Sequence, residues 1–150
     1  MTSKKQFIYF HFPFGRIHLP GRQKLKRFIL QIFKEERRRV EQVNYIFCSD
    51  KELLRINQKY LKHNTLTDII TFYYHQPGEP IMSDIYISID RIKANSKVFQ
   101  VSFISELYRV IFHGALHLCG YSDKTKMEKK IMKQQENKYL NKYVPRGTRL

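Results

Sequence analysis

The sequence has little cysteine, few acidic residues and no long apolar run, and each shortage excludes a class of protein. Cys48 and Cys119 are the two cysteines of the chain, too few for the disulfide framework of a small secreted domain. No apolar segment approaches the roughly 20 residues that a membrane-spanning helix needs. The first residues also lack the apolar core of a signal peptide. We therefore expect a cytoplasmic protein with no membrane partner.

The shortage of acidic side chains is uneven along the chain. Lysine and arginine number 28 against 13 Asp and Glu, which gives a net charge of +15. Residues 22–39 hold eight basic side chains against two glutamates, and residues 124–150 hold nine against two, whereas residues 40–123 are almost neutral. Two basic segments of this kind attract polyanions, and nucleic acid is the commonest polyanion in a cytoplasm. The alternative is a basic surface that serves solubility alone.

What the chain does contain is enough apolar sequence for one folded domain. Hydrophobic side chains make up 42% of its 150 residues and aromatic ones 14%, which excludes a disordered chain. We predict a single domain over residues 1–150, with residues 144–150 as a mobile tail.

The spacing of apolar residues predicts elements in the order β-α-β-α-β-β-α-α-α. We expect an α+β fold, with a small mixed four-stranded sheet, helices packed against it and a metal-binding helix like that of metalloproteases. The last two strands form a hairpin. The predicted strands cover residues 6–12, 43–48, 68–74 and 81–89, and the predicted helices cover 22–39, a segment capped by Ser49 or Asp50, 90–99, 102–119 and 125–140.

Two histidines lie four residues apart on the predicted helix 102–119. Residues at this spacing share one face of a helix, so His113 and His117 can reach the same metal ion. Gly120 follows the helix, where a glycine can adopt the left-handed conformation that reverses the chain. The reversal can bring Asp123 back toward the two imidazoles. The pattern predicts one divalent ion, preferably Zn²⁺, held by His113, His117 and Asp123.

Three protein ligands leave one coordination position open. Structural zinc sites usually fill all four positions, whereas catalytic sites keep one for water or substrate, so we predict a catalytic site. Metalloproteases of the His-Glu-x-x-His type use the glutamate after the first histidine as general base. Gly114 occupies that position here, which disfavours peptidase activity. The alternative is a chance spacing of one core histidine and one solvated histidine.

The segment His113-Gly-Ala-Leu-His117-Leu-Cys-Gly-Tyr121 resembles the signature of the YbeY family. Members of this family are bacterial metal-dependent endoribonucleases associated with rRNA maturation and ribosome quality control. Other segments are similar to the family as well: Thr-Asp-Ile-Ile-Thr-Phe at 67–72, Asp-Ile-Tyr-Ile-Ser at 84–88, Glu106-Leu107, and Met132 and Glu136 of the last helix.

The chain departs from the family pattern at two positions. The family usually ends the motif with Gly-Tyr-Asp-His, whose histidine is the third metal ligand, whereas Asp123 stands at that offset here. An added carboxylate favours harder metal ions. The family also commonly has an arginine in its active-site cleft where this chain has Leu61. Lys59 or Lys62 is the candidate replacement, and the alternative is two solvated lysines.

Together with the basic helices, the resemblance implies a single-strand-specific endoribonuclease that acts on rRNA precursors, with the ribosome or small-subunit proteins as partners. Glu106, Thr67 and Asp68 are candidate catalytic residues. For Glu106 the alternative is an ion pair with Arg109, and for Thr67 and Asp68 it is ordinary turn chemistry. The candidate RNA-binding residues are Lys59, Lys62, Arg22, Lys26 and Lys130.

Two other functions remain open at this point. One is a non-catalytic RNA- or ribosome-binding module with a structural metal, in which His63 or His75 fills the fourth coordination position. The other is a small metal hydrolase that acts on peptides or nucleotides with little salt dependence. RNA processing should instead weaken steeply as salt rises, because contacts to phosphates release counterions.

Overall fold

The computed structural model describes residues 6–61 and 67–144, which form one four-stranded sheet with five α-helices. The predicted fold class and element order are confirmed. A π-helical segment, Asn57–Leu61, follows the second helix and was not predicted. The strands are β1 (Phe7–His11), β2 (Val40–Cys48), β3 (Ile69–Tyr73) and β4 (Ile81–Ser88), and the helices are α1 (Arg22–Glu35), α2 (Asp50–Ile56), α3 (Ile89–Val98), α4 (Phe103–Leu118) and α5 (Lys126–Tyr143).

The sheet is mixed and has the strand order β1-β2-β4-β3. β2 pairs in parallel with both β1 and β4, while β3 and β4 form the expected antiparallel hairpin. Alternate residues of β4 face opposite sides of the sheet. Ile85 and Ile87 belong to the main core, whereas Tyr86 packs against a smaller cluster around Leu53 of α2. Helices therefore cover both faces of the sheet.

α4 is the most buried helix and lies close against the sheet at Gly114. A Cβ atom at this position would lie 3.0 Å from a side-chain carbon of Ile69 and 3.2 Å from two of Ile85. The absence of a side chain lets the helix approach β3 and β4 closely. The same packing explains why no general base follows His113, since a glutamate side chain at position 114 would have no room.

α1 ends four residues earlier than predicted. Its last turn closes with the N–H of Arg37 donating to the carbonyl of Lys34 and the N–H of Arg38 donating to the carbonyl of Phe33. This pattern is a Schellman motif, and Arg37 takes the left-handed conformation (φ 58°) that glycine usually adopts there. Residues 36–39 are charged types that favour helices. The sequence therefore contains no sign that the helix ends before them. β2 then begins at Val40 rather than at residue 43 because Val40 already pairs with Ile81 of β4.

Both ends of the last helix lie within three residues of the prediction. α5 begins at Lys126 behind a capping box of Thr125 and Glu128. Val144 is half-buried and packs against the core, so it belongs to the folded domain. The rest of the predicted tail, residues 145–150, lies outside the described residues.

The described part of the chain contains no helix that is both long and apolar enough to cross a membrane. Cys48 and Cys119 are free thiols and both are buried. Burial raises the pKa of each thiol to about 12. Both cysteines therefore act as small core residues, as their apolar neighbours in the sequence indicate.

Candidate metal centre

α4 presents two imidazole rings side by side, with ring centroids 4.4 Å apart. Nε2 of His113 lies 3.3 Å from Oδ2 of Asp123, and Nε2 of His117 lies 3.6 Å from the same oxygen. A tetrahedral ion with bonds of about 2.0–2.1 Å separates its ligands by about 3.3–3.4 Å. The donor atoms of the three side chains all lie within 4.8 Å of one another. The three groups fit one small divalent ion.

The turn after α4 returns Asp123 to the histidines in the way that the sequence predicts. The helix ends at Leu118, and Gly120 adopts a φ of 102°. The N–H of Gly120 donates to the carbonyl of His117 (3.0 Å), and the N–H of Tyr121 donates to that of Leu116 (3.1 Å). These two bonds form a second Schellman motif, whose left-handed residue is the glycine.

The hydrogen bonds of the two rings leave both Nε2 atoms free for a metal. Nδ1 of His117 lies 2.9 Å from the carbonyl oxygen of Tyr121. Because a carbonyl only accepts, Nδ1 carries the proton. Nδ1 of His113 lies 2.6 Å from the Glu136 carboxylate, the partner that commonly orients a metal-binding histidine. The contacts with Glu136 and the Tyr121 carbonyl thus favour the tautomer with the proton on Nδ1, which leaves Nε2 able to bind a metal.

A partly buried network of charged side chains adjoins His113. Arg109 donates one hydrogen bond of 2.9 Å to Glu136 and two of 2.7 Å to Glu106. Asp68 lies 3.8 Å from the same guanidinium. Glu106 thus makes the ion pair that the sequence analysis kept as an alternative, and it is 1% exposed. Its carboxylate is linked to the candidate ligands by hydrogen bonds through Arg109, Glu136 and His113, and it also lines the α4–α5 cleft.

The electrostatics of the site favour a neutral His117 and an ionised Glu136. Burial lowers the pKa of His117, the neighbouring His113 lowers it further, and Asp123 opposes both. Neutral imidazole is the form that binds metals. Burial is the largest influence on the pKa of Glu136 and raises it, but the His113 hydrogen bond and the Arg109 charge together lower the pKa below its ordinary value.

Two clefts open on either side of the candidate ligands. The first, which we call the β3 cleft, has a volume of about 690 Å³ and includes His117, Asp123, Tyr73, His75, Arg38 and Lys124. The second, the α4–α5 cleft, has about 620 Å³ and includes His113 and Asp123 from the other side. Asp123 borders both clefts and its side chain is 41% exposed. A substrate can therefore reach the donor atoms from either side.

Thr67 and Asp68 lie apart from these clefts, whereas Glu106 lines the α4–α5 cleft. The hydroxyl of Thr67 donates to the carbonyl of Ile69, which is turn chemistry, and Asp68 faces Arg109. Neither residue lines the β3 cleft or the α4–α5 cleft. His75 does line the β3 cleft, but its Nδ1 lies 3.1 Å from the backbone of Met82. Within residues 6–61 and 67–144, His75 is not part of the ligand group.

The candidate RNA-binding residues lie at several separate places. The Arg22 guanidinium lies 4.6 Å over the ring of Phe12. Lys26 contacts the aromatic rings of β1, and Lys59 lies 5.2 Å from the ring of Tyr60. Lys130 is exposed on α5. The predictions for Lys62 and His63 lie outside the described residues. None of the four described cations lines either cleft.

Sequence reasoning missed several cleft residues. Arg38 lines the β3 cleft, and its Nη2 donates to the carbonyl of Cys119 at 3.0 Å. Tyr73 and Lys124 line the same cleft. Arg38 and Cys119 are 81 residues apart, so no local spacing could have joined them. The run of basic residues at 37–39 could have indicated a cation near the site. It does not indicate which of the three side chains lines the cleft.

A centre of this kind defines a class of protein. Two imidazoles with fixed tautomers and one carboxylate point their donor atoms at one possible metal position. This position is accessible from two clefts. Structural zinc sites are closed by four protein ligands, whereas metal-dependent hydrolases keep part of the coordination sphere free. Fold and site together describe an α+β metal hydrolase.

The chain belongs to the endoribonuclease YbeY family, whose model matches residues 16–144. An endoribonuclease YbeY from Azobacteroides pseudotrichonymphae is 47% identical over 116 residues, which cover 77% of this chain and 83% of that protein. One from Amoebophilus asiaticus is 40% identical over 136 residues, which cover 91% and 92%. The resemblance drawn from the histidine motif is confirmed.

A solved structure shows the same fold. The solution structure of a protein from Thermotoga maritima aligns with a TM-score of 0.63 at 24% identity, and the alignment covers 96% of this chain and all of that one. The likeness supports the arrangement of sheet and helices described above.

Proposed function

We propose that this chain is a metal-dependent endoribonuclease that cleaves single-stranded segments of rRNA precursors in the cytoplasm, in rRNA maturation and ribosome quality control. Family membership supports the endoribonuclease activity. The single observation that carries the proposal is the convergence of His113 and His117 on one oxygen of Asp123, at 3.3 and 3.6 Å. Its expected partners are RNA and the ribosome or small-subunit proteins.

Nε2 of His113, Nε2 of His117 and Oδ2 of Asp123 would hold one divalent ion, for which we propose Zn²⁺. Two imidazoles and a carboxylate are a common catalytic donor set for zinc. When bound, the ion supplies a Lewis acid next to the scissile phosphodiester. Glu136 holds the ring of His113 in place, and the carbonyl of Tyr121 does the same for His117.

The β3 cleft supplies the groups that would bind RNA. Arg38 and Lys124 line it beside the metal centre and can contact phosphates. Tyr73 is 54% exposed in the same cleft, and an exposed aromatic ring can stack on an unpaired base. This ring favours single strands, because the bases of a duplex are already stacked. Arg22, Lys26, Lys59 and Lys130 would attract RNA at longer range.

We favour a catalytic metal site over a structural metal in a non-catalytic RNA-binding module. A structural site would need a fourth protein ligand, and the part of the chain that the structure describes supplies three. His75, one of the two candidates for that position, lies against Met82 instead. The roles of Thr67 and Asp68 follow from their contacts: Thr67 shapes the start of β3, and Asp68 adds a carboxylate to Arg109.

The test of activity is cleavage of a single-stranded RNA by His117→Ala and by the matched control His18→Ala. His18 is exposed, so its loss should leave cleavage unchanged. His117→Ala should reduce cleavage by at least about 100-fold, because a ligand of the Lewis acid is lost. Equal cleavage by wild type and His117→Ala would remove this centre from the reaction.

The test of the ligand set is the metal content of Asp123→Ala and Asp123→His, measured by elemental analysis of purified protein. We expect Asp123→Ala to lose its stoichiometric metal. Asp123→His should keep one metal per chain, since imidazole is also a zinc ligand. Full metal content in Asp123→Ala would show that the aspartate is not an essential ligand.

A further inference from the structure

A second concave surface, rich in arginine, lies where α1 ends. We call it the basic groove and define it by Arg27, Lys34, Arg37, Arg38 and Arg39, which line a depression of about 690 Å³ with Gln6, Leu30 and Gln31. Among the residues that the structure describes, its lining contains five cations and no carboxylate. All five basic side chains belong to exposed residues.

The cations of the basic groove are not neutralised within the described chain. No carboxylate of residues 6–61 or 67–144 forms a salt bridge with any of them. The two nearby glutamates have other partners. Glu35 pairs with Lys142 of α5 at 3.1 Å, and Glu36 accepts hydrogen bonds from the hydroxyls of Tyr121 and Tyr139. The positive field of the groove is thus available to a ligand.

Arg37 occupies a backbone position that costs stability. Its φ of 58° lies in the left-handed region, where a side chain is disfavoured and glycine is the usual residue at this point of a Schellman motif. The side chain forms no hydrogen bond, ion pair or ring contact with the described residues that would offset this cost. A strained residue at a ligand-accessible surface points to a role in binding.

The basic groove adjoins the metal centre through Arg38. This arginine lines both the basic groove and the β3 cleft, and its guanidinium donates to the carbonyl of Cys119 at the start of the turn that carries Asp123. Arg39 binds the carbonyl of Gly78 in the β3–β4 loop at 3.0 Å. Arg38 therefore connects the β3 cleft, which contains two of the candidate ligands, to the basic groove.

We propose that the basic groove binds the phosphate backbone of the same RNA strand that is cut at the metal centre, beyond the scissile bond. The inference rests on the proposed function. Guanidinium groups bind phosphate oxygens through pairs of hydrogen bonds, and arginine is the preferred residue for this task. Five neighbouring cations match a chain of evenly spaced phosphates better than they match a single anion.

The variants that test the groove are Arg37→Gly and the double variant Lys34→Gln/Arg37→Gln. The side chains of Lys34 and Arg37 are exposed and form no hydrogen bond, ion pair or ring contact with the described residues. The matched control is Lys93→Gln/Lys97→Gln on α3, which removes the same charge from exposed positions. The measurements are the affinity for a single-stranded RNA 12-mer by fluorescence anisotropy over a range of salt concentrations, and the melting temperature.

We expect the double variant to bind RNA on the order of 10-fold more weakly at low salt, and its slope of log affinity against log salt to fall by about 1.4, since each lost contact with single-stranded RNA removes about 0.7. The control variant should show the wild-type dependence of affinity on salt. Its affinity for RNA should fall only slightly, by the same factor at every salt concentration. Arg37→Gly should bind RNA more weakly and yet melt at the wild-type temperature or higher, because glycine relieves the left-handed strain.

Three outcomes would overturn the inference. The groove variants bind RNA with the wild-type slope; the control loses as much affinity as they do; or Arg37→Gly lowers the melting temperature, which would assign the side chain to folding. If these variants bind an acidic peptide more weakly but RNA unchanged, the groove serves a protein partner instead. Failure of the proposed function looks different: wild type would bind RNA through the groove without cutting it.

Discussion

At the scale of single residues, the metal centre depends on which nitrogen of each histidine carries a proton. Glu136 and the carbonyl of Tyr121 accept from the two Nδ1 atoms, and both Nε2 atoms are left with a lone pair. The two acceptors differ in kind. A carbonyl cannot change its charge, whereas the Glu136 carboxylate stays ionised because Arg109 and His113 both contact it.

Glu136→Gln tests this role. The substitution keeps the size of the side chain but removes the negative charge that holds the His113 ring and pairs with Arg109. We expect the affinity for Zn²⁺ to fall by about 10–100-fold, the usual loss for partners of metal ligands. The measurement is a competition titration against a chromophoric chelator.

The matched control for this prediction is Glu41→Gln. Glu41 is exposed on β2, so the same change of charge there should leave zinc affinity unaltered. If Glu136→Gln folds with wild-type stability and binds zinc as tightly as wild type, Glu136 does not position His113.

At the scale of elements, the metal centre depends on the distance between α4 and the sheet. The sequence places the histidines on a helix, but the depth of that helix follows from Gly114 and its contacts with Ile69 and Ile85. A larger residue would push the helix outward and move both imidazoles relative to Asp123, which is held by a separate turn. Gly114 thus allows α4 to pack closely on the sheet, and this packing sets the positions of the two histidine ligands relative to Asp123.

Gly114→Val should therefore lower both stability and metal affinity. Overpacking of a tight interface costs about 1–3 kcal/mol of unfolding free energy, and valine gains little in helix propensity to offset it. Urea denaturation gives the stability, and the zinc competition titration gives the affinity. Gln134→Val on the exposed side of α5 is the control for helix propensity and should change stability by well under 1 kcal/mol.

The contrary result is also informative. If Gly114→Val unfolds at the wild-type urea concentration, α4 can move away from the sheet without cost. The close approach of this helix would then not fix the site.

At the scale of the whole molecule, the candidate metal centre takes its ligands and their supporting residues from several parts of the chain. His113 and His117 belong to α4, while Asp123 lies in the turn that leads into α5. Glu136 of α5 and Arg38 beyond α1 support the same site. An ion held there would bind the folded state and not the unfolded one, so it would stabilise the entire domain.

Metal removal should accordingly lower the melting temperature. At a free zinc concentration of 100 times the dissociation constant, binding contributes about 2.7 kcal/mol. For a chain of 150 residues this corresponds to a shift of roughly 5–10 °C. The measurement is differential scanning calorimetry with and without a chelator, on wild type and on His117→Ala.

The variant serves as the control, because its melting temperature should not respond to zinc or to the chelator. A wild-type melting temperature that is the same in zinc and in chelator would contradict binding to the folded state. A shift of equal size in His117→Ala would place the ion elsewhere.

The sequence by itself determined the element order, the hairpin, the identity of the three candidate ligands and the family. These follow from local information: the period of the apolar residues, the turn residues, and the spacing of the two histidines. Because residues four apart lie on the same face of a helix, that spacing makes both side chains point in the same direction. Even the return of Asp123 could be predicted, since a glycine after a helix specifies the local reversal. The ends of elements were less secure, as the left-handed Arg37 that stops α1 shows.

Only the tertiary structure decided which distant residues meet at the site. Glu106 and Arg109 are three apart and their ion pair was foreseen as an alternative, but the continuation to Glu136 and His113 depends on how α5 packs on α4. Arg38 reaches the turn after α4 from 81 residues away. Contacts of this kind depend on packing between elements, and no spacing along the chain encodes the depth or angle at which one element lies on another.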